Sequence, residues 1–203
     1  MSVNIHLLEK NMITERQKEI LTVSIKLAAK NGVQALTIKN IASRMGFTEA
    51  ALYRYFQSKR DIMLGIIELF NTSSQKDFEA ISDTETSSIN ELKSLILRRI
   101  DQFEKFPEIA YIMLSVDIFM HDEELSLAAI NSIHKHREFI LTLIVKGQEK
   151  GEIKKDADPK ELFRIVFGSF RLLLTQWFLN GYSFDLKSEF ESLWRTIHLL
   201  IKV

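Results

Sequence analysis

The side chains best placed to do chemistry in this chain lie in the run TIKNIASRMGFTEAALYRYFQSKR, residues 37–60, and they suit hydrogen bonding and charge pairing rather than bond making. Thr37 and Thr48 each stand before a short apolar-periodic segment, where a hydroxyl can cap a helix. In the first segment Ile38, Ile41, Ala42 and Met45 share one face, which leaves Lys39, Asn40, Ser43 and Arg44 outward. Gly46 can take the left-handed conformation that closes it, and Phe47 plants the next segment in a core. The spacing predicts a second helix over residues 49–56. There Leu52 and Phe56 sit four apart on the buried side, Glu49, Ala50, Tyr53 and Arg54 lie around the outer face, and Ala51 and Tyr55 lie at its margins. Ser58 and Asp61 have the spacing of a capping box for a further helix.

Two short helices joined by a tight glycine turn form the helix-turn-helix pattern, in which the second helix enters the major groove of DNA. That geometry brings Lys39 and residues 48–51 closest to base edges, and it turns helix N-termini and aromatic hydroxyls toward phosphates. A carboxylate at Glu49 is repelled by phosphate but can accept from a cytosine amino group, so it either specifies that base or turns aside. Tyr53 faces outward, Tyr55 either does so or packs against the first helix, and Arg54 reaches a phosphate or stays solvated.

The string GFTEAALYRYFQSKR, preceded by a helix ending AAKNG and followed by one long amphipathic helix, closely resembles the N-terminal signature of the TetR family of bacterial transcriptional regulators. The resemblance covers roughly residues 15–70; beyond them only length and helical pattern agree. It implies that Lys39, Glu49 and Ala50 face bases, while Thr37, Thr48, Ala51, Tyr53, Tyr55 and Lys59 stand at DNA-backbone positions. Ala51 departs from the family pattern, since many relatives carry Thr or Ser there, and it offers only a methyl contact. The resemblance further implies a homodimer on a palindromic operator in double-stranded DNA, and a repressor released by a small-molecule effector bound between its middle helices.

Other chemistry has little support. His134 and His136 are two apart on an expected helix and so point in different directions, which predicts surface histidines rather than paired ligands. His121, Asp122, Glu123 and Glu124 read as an acidic loop capping a helix start. No glycine-rich phosphate loop, GxSxG elbow or HExxH is present, and there is no cysteine to act as nucleophile or thiolate ligand. No cofactor, metal or enzymatic activity is expected.

The 27 basic and 27 acidic residues cancel overall but not locally. Residues 1–60 hold ten Lys or Arg against four acids, a net charge of +6, and the remainder carries −6. A basic head on an acidic body suits a modular DNA binder. No apolar run reads as long enough to span a bilayer, and MSVNIHLLEKNM lacks the layout of a signal peptide, so a cytoplasmic protein without a membrane role is expected.

These elements predict an all-α fold of about nine helices, with a DNA-binding head over residues 1–58 and an effector-binding and dimerisation body over residues 59–203. The head needs a first helix over residues 14–30, and a fourth over 59–81 joins it to the body. A polar loop follows at residues 82–90. Body helices are expected over residues 89–106, 107–120, 124–150, 159–180 and 186–201, with no strand signal. Candidate pocket residues are Arg99, Phe103, Tyr111, Asp117, Phe119, Phe170, Arg171 and Trp177. The last two helices are apolar on more than one side and need a partner, with Gly168, Ser169, Trp194, Ile197 and Ile201 as candidate dimer contacts. The alternative reading is a DNA-binding protein whose body docks a protein partner, as in the family's nucleoid-occlusion branch, rather than a small ligand.

Overall fold

The structure is a computed structural model and describes residues 13–82, 86–115 and 117–203, the side chain of Asp117 excepted. Part of the expected loop after the fourth helix, and Val116, lie outside the described residues. Ten α-helices are present among them: α1 (Glu15–Asn31), α2 (Ile38–Met45), α3 (Glu49–Tyr53), α4 (Lys59–Ser82), α5 (Ser88–Lys105), α6 (Glu108–Leu114), α7 (Asp117–Met120), α8 (Glu123–Glu149), α9 (Pro159–Leu179) and α10 (Leu186–Ile201). A short 3₁₀ turn, Val33–Ala35, leads into α2.

Most starts are set by an oxygen-bearing cap. Thr14, Thr37, Thr48, Ser87, Asp122, Asp158 and Asp185 each accept from a backbone N–H two or three residues on. Two expectations need correction. The second motif helix stops at Tyr53 rather than Phe56, because the Ser58 and Asp61 cap of α4 begins almost at once and Phe56 must already turn into the core. The helix expected over residues 107–120 is two helices, since Ser115 leaves the helical conformation and Phe119 then packs beneath the head.

Two hydrophobic cores meet along α4. The first gathers Ile20, Leu21, Ala28, Leu36, Ile41, Leu52 and Phe56 with Ile62, Met63, Ile66 and Ile67 of α4, and it continues into Ile112 of α6, Phe119 of α7 and Leu125 of α8. The second joins Phe78 and Ile81 at the far end of α4 to α5, the C-terminal half of α8, α9 and α10. Gly65 lets α4 approach α1 closely, because a Cβ there would lie 2.9 Å from Leu21 Cδ2. The head is thus held by the α4 shaft and also by the α1 packing on α6.

The long helix α9 is, by length and composition, apolar enough to cross a membrane, which corrects the expectation that no segment is. Its buried side, Leu162, Val166, Phe170, Leu174 and Trp177, packs against α8 and α10. Exposed Arg164 and Arg171 interrupt its outer side.

Candidate nucleic-acid interface

The capped start of α3 stands at the tip of the head. Thr48 accepts from the Ala51 N–H at 3.2 Å, and the buried Leu52 anchors the helix from behind. Gly46 is left-handed, φ +68°, and the Phe47 N–H reaches back to the Ala42 carbonyl at 2.8 Å, so the turn is closed by its own backbone. Arg16 of α1 lies over the Phe47 ring, 4.5 Å from its centre, and braces the turn from the other side. On this support Thr37, Lys39, Thr48, Glu49, Ala50, Tyr53, Arg54 and Tyr55 are exposed, and Ala51 and Lys59 are half-buried. The tyrosines are 43% and 38% exposed, so Tyr55 is not packed away beneath α1, although its backbone carbonyl accepts from Gln17 of α1.

The cations of the head divide into two groups. Among the described residues Lys39, Arg44 and Arg54 make no ion pair, and Lys59 donates to the Val33 carbonyl at 3.1 Å without a carboxylate partner. Arg60, one residue further on, is committed to Asp122 at 2.6 Å and approaches Glu124 at 3.9 Å. Lys26 and Lys30 of α1 likewise make no ion pair among the described residues, while Lys39, Arg44 and Arg54 are exposed on the motif itself, an arrangement that suits a phosphate backbone.

Family comparison agrees with this geometry. The description of bacterial regulatory proteins of the tetR family matches residues 20–66, and that of the YsiA-like protein C-terminal region matches residues 68–202. The chain belongs to the TetR family. It is a DNA-binding transcriptional regulator of the helix-turn-helix type. The nucleoid occlusion factor SlmA of Haemophilus influenzae (strain PittGG) is 25% identical over 199 residues, 95% of this chain and 89% of that protein. In fold the chain is similar to the fatty acid degradation regulator FadR of Bacillus halodurans, with a TM-score of 0.79, 18% identity, and coverage of 94% of this chain and 96% of that one. FadR of Bacillus subtilis in complex with stearoyl-CoA also gives 0.79, at 19% identity over 91% of this chain and 97% of its own.

In the body of this TetR-family regulator the structure separates most of the residues expected to line one pocket. Phe103, Phe170 and Trp177 are core residues, with Phe103 stacked on Phe170 and Phe170 edge-on to Phe190. Phe119 belongs to the core beneath the head, and Tyr111 is half-buried against Phe178. Arg171 lies exposed on the outside of α9, and the Asp117 side chain lies outside the described residues. Arg99 is buried and fully committed: it donates to Ser74 at 2.7 Å and Gln102 at 2.8 Å and pairs with Asp77 at 3.7 Å. The dimer candidates divide as well. Trp194, Ile197 and Ile201 face the core of their own chain, because the inward stripe of α10 needs them there. Gly168 and Ser169 stay at the surface, on the α9 side that also exposes Ile165, Leu172 and Leu179.

Three features were not expected from sequence. His136 is not a free surface group but is half-buried: its Nδ1 donates to the Ser132 carbonyl at 2.8 Å, and its Nε2 lies 2.7 Å from the Ser74 hydroxyl. Burial, more than the nearby Arg99 cation, holds its pKa below the ordinary value. Asp122 caps α8 as its acidic loop implied, but it also pairs with Arg60, which was not expected, and the Leu125 N–H followed by Arg60 holds its carboxyl below the usual range. A long-range pairing of this kind has no signal in local spacing. The third is a cavity of about 220 Å³ where α1, α4, α5 and α6 meet.

Proposed function

We propose that this protein is a homodimeric repressor that holds a palindromic operator through two α3 helices and releases it when a small apolar or amphiphilic molecule binds. The observation that carries the reading is the α3 tip, where Thr48, Glu49, Ala50 and Tyr53 stand exposed on a braced turn, with Lys39 exposed on α2, while the opposite face is locked in the core. Lys39, Glu49 and Ala50 read bases, and Thr37, Thr48, Ala51, Tyr53, Arg54, Tyr55 and Lys59 grip the backbone. Dimerisation uses the uncovered apolar side of α9, Ile165, Leu172 and Leu179 around Gly168, with Leu199 and Leu200 of α10 beside it. The operator is cytoplasmic DNA, and so is the site of action.

A ligand shifts this equilibrium only by its differential affinity for the two head positions, and a hundredfold release needs about 3 kcal/mol of coupling. That the Bacillus subtilis neighbour is a complex with stearoyl-CoA supports an apolar effector in this fold. A second reading, a body that docks a protein, is favoured by the exposed Met120, Leu127, Ile130 and Ile133 along α7 and α8, together with the SlmA relatives.

Genome-wide mapping of bound DNA followed by a screen for releasing compounds tests the proposal. The expected result is a two-fold symmetric site with half-sites about 34–36 Å apart and a dimer in sedimentation. A stable monomer at micromolar concentration, or a non-symmetric binding site, overturns it. Release only by a protein that fails to bind after Leu127→Asp selects the second reading.

A further inference from the structure

The cavity between head and body has one wall from each side of the molecule. Thr22, Ile25 and Lys26 come from α1, Leu69, Phe70 and Ser73 from α4, Gln102 from α5, and Phe106, Glu108 and Ile109 from the segment entering α6. Its volume of about 220 Å³ exceeds the roughly 150 Å³ of an engineered apolar cavity that takes benzene, so a ring with three or four further heavy atoms fits. One cation, Lys26, and one anion, Glu108, share the lining, so it selects no net charge.

The inner wall is specific about hydrogen bonding. Gln102 is used at both ends, its Oε1 accepting from Arg99 at 2.8 Å and its Nε2 donating to Ser73 at 3.2 Å. The Ser73 hydroxyl therefore already accepts, and among the described residues its own proton has no acceptor. The inner wall therefore offers the Ser73 O–H beside the second N–H of Gln102, with no free acceptor between them, and asks for an oxygen.

We propose that this junction cavity is a ligand site for a neutral, mostly apolar molecule of about ten heavy atoms carrying one carbonyl or hydroxyl oxygen, which accepts from Ser73. The site rests on the regulatory reading above and gives it a location. A guest here sits between α1, whose other side packs in the head core, and α6, so it sets the spacing of the seam that holds the head to the body.

Acetophenone serves as the probe, with ethylbenzene as its oxygen-free control and benzoate as the charged one. Titration calorimetry on the full chain, with isoleucine methyl spectra alongside, is expected to show acetophenone binding about fivefold tighter than ethylbenzene, benzoate weakest, and shifts at Ile25 and Ile109. In Ser73→Ala the advantage of acetophenone over ethylbenzene disappears. Ile109→Trp fills the cavity and is expected to weaken acetophenone at least tenfold. Thr22→Phe, which plugs the rim from an exposed position, does the same without touching the core. Unaltered affinity in both plugged variants, or no movement of the Ile25 and Ile109 methyls up to the solubility limit of acetophenone, overturns the site. Operator affinity is measured in the same samples. A compound that releases DNA equally from wild type and both plugged variants refutes the cavity and leaves the repressor reading standing. Probe binding that the plugs abolish, with operator affinity unchanged, supports the site and refutes its regulatory use.

Discussion

Removing the charge of Lys59 should change how DNA binding responds to salt, whereas removing that of its neighbour Arg60 should change it much less. Lys59 has no carboxylate partner among the described residues, and its ammonium is held half-buried at the Val33 carbonyl, 3.1 Å away, beside the start of α2. Each phosphate neutralised by a protein cation steepens log K against log salt by about 0.9. A symmetric dimer loses two such contacts in Lys59→Gln, so its slope is expected to flatten by about 1.8, and the advantage of wild type over the variant shrinks about twelvefold between 50 and 200 mM salt. Glutamine keeps an N–H for Val33, which separates the charge from the tether. In Arg60→Gln the slope is expected to move by less than half as much, because Asp122 and Glu124 already hold that cation. Fluorescence anisotropy of a labelled operator duplex across a salt series reads both variants. Should Lys59→Gln lose affinity equally at every salt concentration, its role is to hold the Val33 turn, and the charge argument fails.

Three further outcomes follow from local geometry. Gly46→Ala meets no atom within 4 Å but must hold φ +68°, so urea unfolding is expected to show a loss of about 1–2 kcal/mol from backbone strain alone. Lys146→Met leaves the Glu91 carboxylate, fully buried and doubly bonded at 2.9 and 3.0 Å, without its cation. The expected cost is about 3–5 kcal/mol, and Glu91→Leu added to it should recover most of that; a double variant as unstable as the single one would rule out the unpaired charge as the cause. His136 has its folded pKa below the unfolded value of 6.5, so the unfolded chain takes up the proton first as pH falls. Stability is therefore expected to fall as pH drops below about 6.5, and His136→Gln should lose that dependence in urea midpoints taken at about pH 7.5 and 5.5.

The head was legible because its signals are local. Thr37, Gly46, Thr48 and Ser58 sit within one helical turn of the ends they set, and each does in the structure what its spacing implied. The body was legible only in outline. In α10 the apolar stripe of Trp194, Ile197 and Ile201 announces a buried face, but nothing in the period says whether its own chain or a second copy covers it. Pairs far apart in the sequence, such as Arg60 with Asp122 and His136 with Ser74, are brought together by how helices pack, a property no window of residues contains. Aromatic supply misled for a related reason. Phe103, Phe170 and Trp177 are large enough to line a pocket and equally large enough to fill one, and volume decided the second. The cavity that remains lies between elements, where residue types alone carry no sign of an imperfect fit.

The core under the head also bears on how freely this module can be exchanged. Cut after α3, the head would leave Ile20, Leu21, Ala28 and Leu52 facing water where Ile62, Ile66, Ile112, Phe119 and Leu125 now cover them. Four of the helices that complete it, α4, α6, α7 and α8, follow the reading motif in sequence, so the unit that folds is longer than the unit that reads. A chimera spliced at residue 58 inherits a foreign wall at α6 and α7 and must repack it. On the proposed reading, new operator specificity is better grafted at the exposed Lys39, Glu49 and Ala50 alone, which lie outside that core and leave the seam to the body intact.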